Sequence, residues 1–118
     1  MSENRRVVVT GIGAITPLGN NAADTWEGMK SGKNGIAPIT LFDTEGYKAK
    51  LGAEVKDFNP LEYMEKSDTL RSDRYTQFAV AAASQAVSES GIEGTVEPER
   101  FAVYFGAGIG GIKTFETE

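Results

Sequence analysis

A chain of 118 residues, 40% apolar and 25% charged, is long enough for one soluble globular domain and too short for two. Seventeen acidic against 12 basic residues leave a net charge of -5, which argues against nonspecific nucleic-acid binding, where a basic face supplies most of the affinity. Neither cysteine nor histidine occurs, so disulfides, thiolate chemistry, Ser-His or Cys-His catalysis and a His-ligated metal are all excluded within these residues.

The first element expected is a strand over residues 5–10, whose apolar run Val7-Val8-Val9 suggests a strand covered on both faces of a sheet. Arg5-Arg6 ahead of it resembles a signal peptide only briefly. Thr10, Gly11, Gly13, Thr16 and Pro17 interrupt the apolar stretch, and no run is long enough to span a bilayer. The expected location is cytoplasmic, with no membrane partner.

A loop with Gly11, Gly13, Pro17 and Gly19 follows. Asn20 or Asn21 then caps a helix over Ala22 to Lys30, with Asp24 in its first turn and Gly32 as its stop. Residues 33–60 lack strong periodicity, though the alternation Ala49, Leu51, Ala53, Val55 suggests a short strand within 48–55. Asn59-Pro60 reads as a helix start.

The strongest signal covers residues 72–90. Tyr75, Phe78, Ala79, Ala82, Ala83 and Ala86 recur on one helical face, Ser72 or Asp73 is placed to cap it, and Gly91-Ile92 suits its end. The alanines predict close approach of another backbone, so this helix is expected to be central. A polar connection containing Pro98 leads to a second strand expected over residues 101–105, then to Gly106-Ala107-Gly108-Ile109-Gly110-Gly111. The chain ends at Glu118 inside what reads as another helix. Strands alternating with helices predict an α/β layered fold, with no internal domain boundary over 1–118 and no repeat.

Both glycine loops invite a nucleotide-binding reading, since strand, glycine turn and helix start can cradle a pyrophosphate. The signal is weak. After Gly13 the segment Thr16-Pro17-Leu18-Gly19 stands where a helix should open. After Gly111 the chain is too short to show the expected acidic residue. A tight turn where two backbones pack closely is the preferred reading of Gly11 and Gly13. A small nucleotide-binding module stays open as an alternative.

The opening Arg6-Val7-Val8-Val9-Thr10-Gly11-Ile12-Gly13 through Thr16-Pro17-Leu18-Gly19-Asn20, Trp26 with Ser31-Gly32-Lys33-Asn34-Gly35-Ile36, Phe42-Asp43-Thr44, Val55-Lys56-Asp57-Phe58-Asn59, Asp73 with Tyr75 and Gln77, and the segment Gly106 to Gly111 occur in one order over nearly the whole chain. In that order they resemble the N-terminal part of the chain-elongating β-ketoacyl-acyl carrier protein synthases.

The resemblance implies a partial thiolase-like layered fold, the N-terminal portion only, with its sheet incomplete. It implies a decarboxylative Claisen condensation in which malonyl-acyl carrier protein extends an acyl chain held on a cysteine, assisted by two histidines. None of those three groups can be placed here, so no catalytic residue, metal or cofactor is expected in this chain, and the chain alone is expected to be inactive. Non-catalytic chain-length-factor relatives share the same motifs and stay open as an alternative. The resemblance further implies that Ile109, flanked by Gly108 and Gly110, lies beside the acyl pocket. It implies that Lys66, Arg71 and Arg74 meet the acidic carrier protein, in its acyl and malonyl forms, and that the whole enzyme is a homodimer. Ser67 and Leu70 stand where basic residues are frequent in the family, and solvated helix-end charges are the plain alternative for the three that remain.

Overall fold

The structure, a computed structural model, describes residues 4–117. In chain order it contains helix α1 (Ala22–Lys30), strands β1 (Ala37–Pro38) and β2 (Leu51–Gly52), a 3-10 turn (Pro60–Glu62), helices α2 (Lys66–Arg71) and α3 (Arg74–Ser90), a second 3-10 turn (Pro98–Arg100) and helix α4 (Ile112–Thr117).

Local signals set the helix ends. Asn21 caps α1 by accepting the Asp24 amide at 2.7 Å, and Gly32 takes a φ of 67° just beyond it. The Asn59 side chain accepts from the Leu61 amide, with Pro60 opening the 3-10 turn. Gly91, at φ 62°, ends α3 in the left-handed conformation.

One expected cap is different. Asp73 occupies the position before α3, but neither its side chain nor that of Ser72 caps the helix: the Ser72 hydroxyl faces the Met64 sulfur, and the Asp73 carboxylate turns to Thr114.

The 17-residue α3 is the axis on which the rest is placed. Ala81 is fully buried on it, and Phe78 receives Phe58 edge-on at 5.0 Å between ring centroids. Tyr63 stacks on Phe58 with the ring centroids 6.2 Å apart, while the Arg74 guanidinium lies 4.9 Å from the Phe78 centroid. The expected strand within 48–55 is reduced to β2, which pairs antiparallel with β1 in the register Ala37↔Gly52 and Pro38↔Leu51. β1 has no sequence signature, because Pro38 lacks a donor and marks a strand only at a sheet edge.

Residues 5–10 and 101–105 are not strands among the described residues. Val7 is 92% exposed and Tyr104 97% exposed, against the expectation of strands covered on both faces. The reason is physical: a sheet strand exists only with neighbours for its backbone groups and layers for its side chains, and among the described residues no segment pairs with either run, while α3 faces Val103 and Phe105 on one side only. The radius of gyration, 17.8 Å, agrees. A compact chain of this length would measure about 13 Å. The helical half of the α/β expectation is present, whereas the sheet is limited to β1 and β2. Among the described residues no helix is long and apolar enough to cross a membrane.

Candidate functional site

The two glycine loops have different environments. Gly11 and Gly13 lie directly on the backbone of α3. A methyl group on Gly13 would overlap the Ala82 carbonyl and come within 3.0 Å of the Ala86 nitrogen, and one on Gly11 would overlap the Ala86 carbonyl. The alanine face of α3 makes this approach possible, as its residue pattern predicts.

Two α3 side chains then take the donors of the loop. Glu89 accepts the Ile12 amide, and Gln85 accepts the Ala14 amide at 3.1 Å. Gln85 also donates to the Asn20 carbonyl at 2.8 Å and to the Tyr63 hydroxyl at 2.9 Å. Two of the loop's amides, those of Ile12 and Ala14, are thus taken by α3 side chains, one of them a carboxylate that would repel a phosphate, and Gly11 and Gly13 are pressed on the α3 backbone, so this loop is a packing joint and not a phosphate cradle. Gln85 and Glu89 carry no motif. Their only sequence signal is spacing, four apart and each three residues after an alanine that meets a glycine.

The second loop is open on one side and held on the other. Side chains at Gly106 or Gly108 would meet nothing within 4 Å. Gly110, in contrast, lies against the Tyr75 ring, and Gly111, at φ 64°, lies against the Asp73 carboxylate. Thr114 in α4 donates to Asp73 as well. An anion at the start of α4 would face that carboxylate, which removes the nucleotide reading here too. Between the open half and the held half stands Ile109, 83% exposed. Just before it, residues 105–107 and the α3 face of Thr76, Ala79 and Ala82 line a largely apolar cleft of about 480 Å³.

The three basic residues are not brought together as one patch. Lys66 and Arg71 open and close α2, both exposed. Five residues apart on a helix, they are turned about 140° from one another. Arg74 is engaged internally, donating to the Val55 carbonyl at 3.0 Å and lying over Phe78. Lys66 and Arg71 form no ion pair among the described residues.

The geometry defines a class first. A solved structure described as the ishigamide ketosynthase/chain length factor superposes with a TM-score of 0.64 and 40% sequence identity, covering 74% of this chain and 22% of that one. The fold is therefore ketosynthase-like. The family described as Beta-ketoacyl synthase, N-terminal domain, matches residues 4–118, and the chain belongs to that family. Proteins named 3-oxoacyl-[acyl-carrier-protein] synthase 2 are similar to it, at 44% identity in Staphylococcus aureus (strain COL) and 42% in Synechocystis sp., each over 98% of this chain. The chain spans 28% of the length of those relatives.

Proposed function

We propose that this chain is the N-terminal portion of a 3-oxoacyl-acyl carrier protein synthase with a thiolase-like layered fold, which lengthens acyl chains by decarboxylative condensation. The observation that carries this reading is the 44% identity over 98% of the chain to a protein named for that activity.

In the proposed reaction an acyl group is held as a thioester on a cysteine. Malonyl-acyl carrier protein loses carbon dioxide, and the resulting carbanion attacks the thioester carbon. The 3-oxoacyl product leaves on the carrier protein as the cysteine thiolate departs. Hydrogen-bond donors placed where negative charge develops lower the barrier. Because these 118 residues include no cysteine and no histidine, the nucleophile and the imidazole donors come from other residues of the working protein.

This chain would contribute Ile109, with Gly108 and Gly110, at the acyl pocket. The support is that Ile109 is the one bulky apolar side chain of residues 106–111, two positions along the chain from Ala107, which lines an apolar cleft. Lys66 and Arg71 would greet the acidic carrier protein through free, exposed cationic ends, with Arg74 in a lesser role because its guanidinium is already engaged. The working protein would be a cytoplasmic homodimer.

A second reading, a non-catalytic chain-length factor, is favoured by the likeness to the ketosynthase/chain length factor structure. One experiment separates the two. The protein containing these residues is assayed for carbon dioxide release and chain extension with acyl- and malonyl-acyl carrier protein. Extension that requires a cysteine beyond residue 118 supports the synthase. A protein that activates a partner without such a cysteine supports the chain-length factor. Carbon dioxide release by the 118-residue chain alone would overturn both.

A further inference from the structure

Residue 73 forgoes its local role. Preceding α3, its carboxylate is placed to cap the helix, yet it makes no cap hydrogen bond. It reaches instead across 41 positions of sequence to accept a hydrogen bond from the Thr114 hydroxyl. The same carboxylate lies against Gly111, whose φ of 64° brings the backbone close without a side chain intervening. Two residues along, the Tyr75 ring covers Gly110. Three contacts thus join the start of α3 to residues 110–114, while residues 106 and 108 have no neighbour within reach of an added methyl.

We propose that Asp73 is a positioning residue: with Tyr75 it latches residues 110–111 to the start of α3 and so fixes the point from which the neighbouring Ile109 is placed. This rests on the reading of Ile109 as the residue beside the acyl pocket. Its consequence is that the place of Ile109 is set by the start of α3. The α2 helix, which carries Lys66 and Arg71, ends only two residues before Asp73. A carrier protein seated on α2 would therefore press on the same joint that holds residues 110–111.

The latch is tested in the full-length protein that contains these residues, by amide hydrogen exchange without any acyl ligand. The reporter is the Phe115 amide, which bonds the Gly111 carbonyl at 3.0 Å, and the control is the Thr25 amide in α1, which bonds the Asn21 carbonyl at 3.0 Å. Thr114→Val should speed exchange at Phe115 by about fivefold, the factor carried by one net hydrogen bond, and leave Thr25 unchanged. Thr114→Ser, which keeps the hydroxyl, should retain the parent rate. The double variant Asp73→Ala/Thr114→Val should be no faster than its faster single, because both remove the same bond. The proposal is overturned if Thr114→Val exchanges at the parent rate, if Thr114→Ser behaves like Thr114→Val, if the two changes simply add, or if Phe115 in the parent exchanges like a free peptide. Failure there leaves the acyl-pocket reading standing, since no acyl group takes part. That reading fails separately, through the acyl-length dependence of Ile109 variants.

Discussion

Gly13 faces the carbonyl of Ala82 so closely that no side chain fits between them. Its Cα is in effect the contact surface between the first loop and the central helix. Gly13→Ala must therefore push main chain against main chain, which cannot yield as a flexible side chain would. The expected cost is about 1–3 kcal/mol, as for other overpacked sites. Gly108→Ala, at an open position without positive φ, should be nearly neutral. Urea titration followed by helical circular dichroism compares them, and equal midpoints for the two variants would refute the close-packing account.

Gln85 joins three segments through one amide, accepting from Ala14 and donating to Asn20 and Tyr63. Gln85→Leu keeps roughly the volume and strands all three partners. Because the site is partly buried, the loss should be about 2 kcal/mol and not the sum of three full desolvation penalties. Gln85→Glu retains an acceptor for Ala14 but sets a carboxylate against the Asn20 carbonyl, so it should lie between the parent and Gln85→Leu. Denaturant midpoints give the order, and a Gln85→Leu variant as stable as the parent would remove the residue from this role.

These two joints show what could be read from the residues and what could not. The caps at Asn21 and Gly91 and the extent of α3 are local matters, set by neighbours within a turn or two, and they follow from spacing and side-chain chemistry. The alanine face of α3 foretells a close neighbour, which the structure identifies as Gly11 and Gly13. Strand pairing is not local: residues 5–10 and 101–105 have the composition of strands, but composition names no partner, and none is found among the described residues. Asp73 misleads for the opposite reason. Its local rule, capping α3, loses to a tertiary contact with Thr114 that no short-range pattern encodes.

Glu54 closes the hairpin of β1 and β2. Its carboxylate accepts the Thr40 hydroxyl at 2.7 Å, the Thr40 amide at 3.0 Å and the Leu41 amide at 3.2 Å. The Thr40 hydroxyl first, then the Thr40 amide and, more weakly, the Leu41 amide and the nearby Lys56 charge hold its pKa below the usual 4.5. A carboxyl whose folded value is lowered stabilises the fold above its unfolded value and loses that contribution as the pH falls through the lowered one. The 40–54 closure should thus loosen at a lower pH than the one at which an ordinary glutamate titrates. The Thr40 amide resonance, followed through an acid titration, should show a midpoint under 4.5 that Glu54→Gln abolishes. A midpoint at or above 4.5 would contradict the hydrogen-bonded carboxylate.

The exposed apolar runs predict the behaviour of the chain in solution. Val7 and Val9, at 92% and 79% exposed, and Tyr104, at 97%, present strand-like residues without partners. Such surfaces associate, edge to edge or face to face. Sedimentation velocity should show larger species growing with concentration, and Val8→Lys with Tyr104→Lys should reduce them without loss of helix. A chain that stays monomeric at the highest concentrations reached would show that these runs are adequately solvated as they stand.

Ile109 connects the local structure to the proposed chemistry most directly. It is 83% exposed, between an open half of the glycine segment and a half held by Asp73 and Tyr75. A bulky residue in that setting can be displaced at small cost on the open side, where a methyl group added at Gly106 or Gly108 would meet nothing within 4 Å. Displacement on the other side is blocked by the Tyr75 ring. If the acyl chain passes Ile109, Ile109→Phe adds volume where a long chain must lie and a short one need not reach. Overpacking costs of about 1–3 kcal/mol would then fall on long primers alone, slowing their condensation by roughly tenfold or more while short primers proceed near the parent rate. The measurement is the condensation rate across a series of primer lengths in the protein that contains these residues, with thermal melting as a check on folding. The opposite change, Ile109→Ala, should relax the discrimination instead of sharpening it. Rates that fall by one common factor at every length, or a drop in melting temperature alone, would make Ile109 a structural residue and leave the acyl pocket to be lined elsewhere.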